Sequence, residues 1–429
     1  MNESAGSLSP QRTGDDALHT HPATSLLFAL ADALMGTPWQ GSRLSPLPDS
    51  GLAHHHVAII GSEPPALARI PKQSQLRLDA ATNLEYQAAC FDRAEPSGHT
   101  PRLFATLRPS QGLSRGALIV EHVLGRGAVL GAPDARKPVG AADPHRNDLQ
   151  RHDPHRADPH RADLHRADPD ADDLAHDDLR RADHDDLAAI VRALASIHSL
   201  PVPDVRKPLM NPADPLADLA AEIDVQAEFL DSASLQPDAR ALIDRELTRL
   251  DTLVRGDRRP SVNLVSFDAH PGNFLIRDDG EAVLVDLEKC RYSYPSLDLA
   301  HATLYTSTSW ERGATAWLTP AQVREVHELW ESTMGRAGLH RAGAGRAGAG
   351  RADDSEWHVP LRRAMWLWSV TWCAKWRVLS GAAPSVSADG EDWAVANSAD
   401  QLARHVRGRV DHYLSADIIE RVTREFDEL

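Results

Sequence analysis

Leu264-Val265-Ser266-Phe267-Asp268-Ala269-His270-Pro271-Gly272-Asn273-Phe274-Leu275-Ile276-Arg277-Asp278-Asp279-Gly280-Glu281-Ala282-Val283-Leu284-Val285-Asp286-Leu287-Glu288 says more about this 429-residue chain than the remainder together. Phe274–Arg277 and Ala282–Val285 are apolar runs of strand length, separated by Asp278-Asp279-Gly280-Glu281. An Asp-Gly pair favours a two-residue hairpin loop, because both loop positions need positive φ. With Asp279 and Gly280 as the loop, counting outward sets Ile276 against Val283, Phe274 against Val285 and Asn273 against Asp286. Cross-strand partners share a face with Cβ atoms about 5 Å apart, so an amide oxygen and a carboxylate are expected to converge at the open end. Hard oxygen ligands held in this way suit Mg2+, which takes few protein ligands. Asp268 enters the same end through a loop.

Two oxygen ligands for a metal and a separate carboxylate are what phosphoryl transfer needs. The metal neutralises phosphate charge, and the carboxylate orients or deprotonates the attacking hydroxyl. The pattern Asp-x-His-Pro-Gly-Asn, a hairpin, then Val-Asp-Leu-Glu resembles the catalytic segment of the aminoglycoside phosphotransferase and choline kinase superfamily. That resemblance implies a protein-kinase-like fold, Asp268 as catalytic base, Asn273 and Asp286 as Mg2+ ligands, and ATP as phosphoryl donor. Tyr292-Ser293-Tyr294-Pro295-Ser296-Leu297-Asp298 is similar to the segment that follows in choline kinases, which implies that Asp298 braces the catalytic loop. The family has His two residues before the catalytic Asp, and this chain has Ser266.

Upstream residues fall in a matching order. Thr24 to Met35 is expected as a short helix capped by Thr24, and Gly51-Leu52-Ala53-His54 as the turn that covers nucleotide phosphates. Ala66 to Lys72 is a strand carrying a cation, Arg69 with Lys72 in reserve, and Asn83 to Ala89 is a helix with Glu85 near its start. Kinase-like folds pair such a cation with a helix glutamate to hold phosphates. Ala117 to Arg126 resembles the interlobe hinge, where backbone groups of Glu121 to Val123 would meet adenine. Asp186 is expected to cap a helix through Ile197, and His198 to be structural.

Near the carboxy terminus, Leu361, Met365, Trp368, Trp372 and Trp376 fall on one helical stripe. Such stripes are mostly core. Trp368 and Trp372 are nevertheless candidates to wall an acceptor pocket, since aromatic faces attract ammonium groups. Glu288 could supply a substrate carboxylate there or brace the loop.

Length implies about two lobes. Three widely spaced cysteines, Cys90, Cys290 and Cys373, fit a reducing, cytoplasmic setting rather than a disulfide framework. The polar stretch from Met1 to Asp16 does not read as a signal peptide, and no apolar run reaches the ~18 residues of a membrane span. A net charge of −16 disfavours nucleic acid or an anionic membrane and is compatible with a cationic acceptor. From Asp143 the chain repeats Asp-Pro-His-Arg-Ala with a period of five, which puts its histidines on no common face. A second stretch, Arg336 to Asp354, repeats Arg-Ala-Gly and is expected as a flexible linker.

These observations predict an α+β, protein-kinase-like, two-lobed fold. Residues 1–20 would be a disordered tail, 21–123 a nucleotide-binding lobe rich in strands, and 124–429 a mainly helical catalytic lobe interrupted by inserts at 143–184 and 336–354. The function expected is transfer of the ATP γ-phosphate to a hydroxyl of a small molecule. Rival readings are a choline- or ethanolamine-type kinase, a non-catalytic nucleotide-binding pseudokinase and a protein kinase. The last lacks its Asp-Phe-Gly, because Asp286-Leu287-Glu288 stands in that place.

Overall fold

The computed structural model describes residues 22–48, 53–130, 186–310, 316–342, 354–381 and 400–429. The tail to residue 21, the first half of the expected phosphate-covering turn and the 143–184 repeat lie outside the described residues. The chain begins with α1 (Pro22–Ala33), so Thr24 sits inside the helix rather than at its cap. A five-stranded antiparallel sheet follows, built from β1 (Arg43–Pro46), β2 (His54–Ile60), β3 (Ala66–Pro71), β4 (Leu103–Leu107) and β5 (Ala117–Glu121) in the order β1-β2-β3-β5-β4. The alternating apolar face of β2, β3 and β5 packs on α1 through Leu30, Leu34, Val57, Ala68 and Ile119.

Between β3 and β4 runs α2 (Ala80–Ala94), longer than expected because Asp79 caps it by accepting from the amides of Ala81 and Thr82. Beyond β5, β6 (Arg126–Gly127) leaves the small lobe and pairs with the Phe274–Leu284 hairpin. The rest is mainly helical: α3 (residues 186–198), α4 (Pro215–Ala227), α5 (Pro237–Arg255), α6 (Pro295–Thr303), α7 (Tyr305–Thr308), α8 (Pro320–Ala342), α9 (His358–Leu379), α10 (Asp400–Tyr413) and α11 (Ala416–Glu428). Within this lobe lie β7 (Asn263–Val265), β8 (Phe274–Ile276), β9 (Ala282–Leu284) and β10 (Arg291–Ser293). A sheet-rich amino-terminal lobe joined by a hinge to a larger helical lobe is the two-lobed α+β architecture the sequence predicts. No described helix is long and apolar enough to cross a membrane.

Two expectations need correction here. α8 continues through residue 342, so the first part of the expected 336–354 linker is helical; arginine and alanine favour helix strongly enough to carry it past Gly335. Residues 343–353 lie outside the described residues. Asp186 does not act as a helix cap. Its buried carboxylate takes the Arg126 guanidinium at 2.5 and 2.7 Å and the Val129 amide at 2.9 Å, which fixes the chain just past the hinge.

Helix α9 is buried nearly all round, not along one stripe. Trp366 and Trp376 pack in the core of the helical lobe with Leu361 and Met365, between α4, α5, α6 and α10.

Candidate active site

The hairpin closes differently from the two-residue loop expected. Gly280 N–H donates to Arg277 O and Arg277 N–H to Glu281 O, each at 2.9 Å, and only Gly280 has positive φ, at 81°. This is a three-residue loop, Asp278-Asp279-Gly280, with a glycine bulge. It shifts the register by one: Ile276 faces Ala282, Leu275 faces Val283 and Phe274 faces Leu284. Asn273 is therefore opposite Val285, whose N–H it accepts at 2.9 Å, and not opposite Asp286. A one-residue slip would send the two side chains to opposite faces. It does not, because Pro271–Asn273 forms a 3-10 turn that takes Asn273 out of the strand. Both Asn273 and Asp286 line the same cavity of about 360 Å³, together with Asp268 and Arg69.

Asp268 is held from below. Fully buried Asp298, on α6, accepts from the amides of Ser266 (2.7 Å) and Phe267 (2.8 Å), from Ser266 Oγ (3.2 Å) and from His198 Nε2 (3.0 Å). Trp330 donates its indole N–H to His198 Nδ1 at 3.0 Å, which makes Nε2 the protonated nitrogen that faces Asp298. Phe267, just before Asp268, has φ of 58°, a strained conformation for an L side chain that these bonds to Asp298 sustain. Ser266 Oγ donates to Asp298 Oδ1 and accepts from the Asp268 amide, each at 3.2 Å.

Around Asp268 the structure brings groups that sequence reading missed. Lys289 Nζ lies 2.9 Å from Oδ2, His301 Nδ1 lies 3.9 Å from Oδ1, and His270 is a neighbour of His301. Burial alone would raise the Asp268 carboxyl, but Lys289, His270 and His301 outweigh it and hold it below the ordinary value. Burial holds His301 down at about 4, so its ring is neutral near pH 7.

Arg69 is 4% exposed and reaches across the cleft to the hairpin. It donates to Asp286 Oδ1 at 2.7 Å and to Val285 O at 2.5 Å. Burial pushes the Asp286 carboxyl up, and Arg69 with His54 reverses the shift and keeps it ionised. The expected pairing of Arg69 with Glu85 is not made. Glu85 is exposed, because the buried face of α2 runs through Asn83, Tyr86, Gln87 and Cys90. The inward group at this level is Gln87, whose Oε1 lies 3.0 Å from His54 Nε2.

Of the two roles expected for Glu288, the structure fits the brace. Glu288 is absent from the cavity lining and sits behind Asp286, accepting from Gln75 at 2.7 Å and Gln87 at 3.4 Å. Burial, then the nearby Asp286, pushes its carboxyl up to about 8, so it braces the loop as a neutral acid. His54, Asp286 and Glu288 bring potential metal-ligand atoms within 4.8 Å of one another. His54 nevertheless accepts from Arg69 at Nδ1 (3.3 Å) and donates from Nε2 to Gln87, so neither nitrogen has a lone pair for a metal. The oxygen pair Asn273 and Asp286 is the better cation site. Asn273 Nδ2 donates to Asp268 O at 2.8 Å, which turns its Oδ1 outward as a hard donor beside the Asp286 carboxylate.

The hinge residues divide. Glu121 N–H donates to Arg102 O and His122 N–H to Pro65 O. The Glu121 carboxylate bonds Arg277 at 3.1 Å and ties the hinge to the hairpin, while Val123 is buried; neither residue lines the cavity. At the far end of the cavity stand Trp310, Trp368, Trp372 and Tyr413 with the hydroxyls of Thr306 and Ser307 on α7. Trp368 and Trp372 are therefore wall residues of the cavity, unlike Trp366 and Trp376 on the same helix.

Comparison with curated proteins gives no match. Among solved structures the chain is similar to a macrolide 2'-phosphotransferase type I, at 12% identity and a TM-score of 0.46, over 90% of this chain and 97% of that one. It is also similar to a spectinomycin phosphotransferase in complex with ADP and spectinomycin, at 10% identity and 0.48, over 90% and 93%. A third is choline kinase from Cryptosporidium parvum Iowa II, at 11% and 0.44, over 90% and 92%. Residues 178–340 match the model of the phosphotransferase enzyme family. The matched segment is the one that carries Asp268, Asn273 and Asp286.

Proposed function

We propose that the protein transfers the γ-phosphoryl group of ATP, in a Mg2+-dependent reaction, to a hydroxyl of a small molecule. The observation that carries this is the convergence of an ionised Asp268, a hard oxygen pair at Asn273 and Asp286, and the Arg69 guanidinium on one cavity between the lobes. Adenine would meet the Glu121 carbonyl and the Val123 N–H at the hinge, within a small lobe ending near residue 123. Arg69 would contact the phosphates, and Glu85, exposed on α2, has no part in that contact. Mg2+ held by Asn273 and Asp286 would offset the charge of the phosphates.

In the reaction the acceptor oxygen forms a bond to the γ-phosphorus while the bond to the β–γ bridging oxygen breaks, and ADP leaves. Asp268 orients the acceptor hydroxyl and takes its proton. Lys289, bonded to Asp268 and beside the path of the phosphoryl group, places positive charge where negative charge is shared out in the transition state. The aromatic end of the cavity holds the body of the acceptor and keeps water out.

Asp268→Asn keeps the shape of the side chain and removes the base. The expected result is loss of ATP-dependent phosphorylation by about 10²-fold or more with nucleotide binding retained. ADP release measured against a broad panel of alcohols is the assay, and full activity in the variant would sink the assignment.

A further inference from the structure

The cavity around Asp268 carries more polar groups than the phosphotransfer step uses. His270 Nδ1, His301 Nδ1 and Thr306 Oγ1 are buried with no hydrogen-bond partner among the described residues, and all three residues line it. His301 and Thr306 are each 6% exposed. A buried polar atom left unpaired costs about 1–3 kcal/mol, and folds keep few of them. Several on the walls of one cavity point to a ligand that pairs them.

The geometry at Asp268 narrows the chemistry of that ligand. Lys289 takes Asp268 Oδ2 at 2.9 Å, while Oδ1 faces His301 Nδ1 at 3.9 Å. That separation is too long for a direct hydrogen bond but less than twice the ordinary ~2.8 Å, so one oxygen can bond both atoms. A carboxylate opposite Nδ1 favours the tautomer with its hydrogen on that nitrogen. The bridging group must then donate to Asp268 and accept from His301. A hydroxyl does both, whereas an ammonium has no lone pair with which to accept. Charge points the same way. Asp268 and Asp286 are the only carboxylates on the cavity wall among the described residues, and each is already paired, with Lys289 and with Arg69. The Lys289 ammonium also stands 5.6 Å from the centroid of the Trp368 ring, so a second cation at that ring would meet like charge.

We propose that the acceptor is an uncharged polyol, a sugar or a cyclitol, whose reacting hydroxyl bridges Asp268 Oδ1 and His301 Nδ1 and whose further hydroxyl bonds Thr306. The proposal rests on the phosphotransfer reading for the reaction and on the unpaired wall atoms for the chemistry of the acceptor. The indoles of Trp310 and Trp372 supply the apolar wall on which the C–H face of such a ring packs. His301 donates to the attacking oxygen and so fixes the direction of its remaining lone pair, while Asp268 takes its proton. The bonds formed and broken at phosphorus are those of the phosphotransfer step. The cationic acceptor that the net charge of the chain allows finds no unpaired carboxylate on this wall.

The test uses the full chain with Mg2+ and ADP. myo-Inositol, D-glucose and D-ribose are titrated by calorimetry beside choline and kanamycin, and the same compounds are assayed with ATP for ADP release. Saturable binding of an uncharged polyol is expected, tighter than that of either cation. Thr306→Val should weaken it about tenfold, the worth of one hydrogen bond, without lowering Tm, because Oγ1 bonds nothing in the fold. His301→Leu should lower kcat more than it raises KM, and His301→Asn, which keeps an N–H near the Nδ1 position, should recover part of kcat. Binding of none of the three polyols, tighter binding of choline or kanamycin, or unchanged polyol affinity in Thr306→Val overturns the proposal. Polyol binding with no ADP release from any compound would instead overturn the phosphotransfer reading and leave the polyol site standing.

Discussion

Lys289 and Asp268 form an ion pair at 2.9 Å, with the Lys289 ammonium also 5.6 Å from the centroid of the Trp368 ring. Burial pushes the Asp268 carboxyl up, and Lys289 leads the groups that pull it down. Lys289→Met leaves burial with less opposition, so the carboxyl titrates at higher pH. The acid limb of the kcat/KM profile should move upward, and kcat should fall about tenfold or more as transition-state charge is lost. An acid limb that stays in place would show that Lys289 does not set the state of Asp268.

Asp298 satisfies four donors with two oxygens in a fully buried position. Asp298→Ala strands the Ser266 and Phe267 amides and the His198 ring. Each orphaned buried donor costs about 1–3 kcal/mol, so a total loss of roughly 3 kcal/mol or more is expected in denaturant unfolding. A loss under about 1 kcal/mol would mean that the loop holds Phe267 in its left-handed conformation without help.

His327, on α8, stacks on His358 at 4.3 Å, and burial holds its pKa down at about 3 against an ordinary 6.5. A depressed pKa means the unfolded chain takes up the proton first. The stability due to a neutral His327 is therefore complete above pH 6.5 and is lost as pH falls from there toward about 3. At pH 5 the loss is on the order of 2 kcal/mol. His327→Phe should thus unfold with a shallower acid dependence than the parent between pH 7 and pH 5, and equal slopes would count against the assignment.

Gly125 lies where the hinge crosses the hairpin. A Cβ there would sit 2.6 Å from Ile276 O, closer than real side chains approach backbone. Gly125→Ala should push the hinge off β8 and weaken nucleotide binding about tenfold, measured as the Kd for ADP. Unchanged affinity would mean that adenine does not lie along this segment.

The sequence places Asp268, Asn273 and Asp286 within 19 residues, where loop and strand chemistry alone can bring them together. The architecture followed from the order of strand, cation, helix and hinge. The hairpin register was not legible, because Asp278-Asp279-Gly280 supports a two-residue loop as readily as a three-residue one. Glu85 was misplaced because short-range pattern does not set the rotation of α2; its packing through Tyr86, Cys90 and Phe91 does. The contacts of Lys289 with Asp268 and of His54 with Glu288 depend on how separate elements meet, and no local spacing encodes them. The tryptophan stripe was half legible: Trp376 is core and Trp368 and Trp372 are wall, a division made by which neighbouring helix each ring faces.

The segment just past the hinge and the small lobe grip the β8–β9 hairpin from opposite sides. Arg126 and Gly127 pair with Ile276 and Leu275, and Leu284 N–H donates to His99 O while His99 Nδ1 lies 2.9 Å from Ala282 O. Asp268 instead hangs from Asp298 in the helical lobe. The mechanical seam of the molecule therefore runs between positions 268 and 273, and not along the line where sheet gives way to helix. A rocking of one lobe on the other would leave the Arg69–Asp286 spacing unchanged and would alter the distance from Asn273 and Asp286 to Asp268. The hydrogen bond from the Asn273 side-chain amide to the Asp268 carbonyl spans that seam and limits its travel.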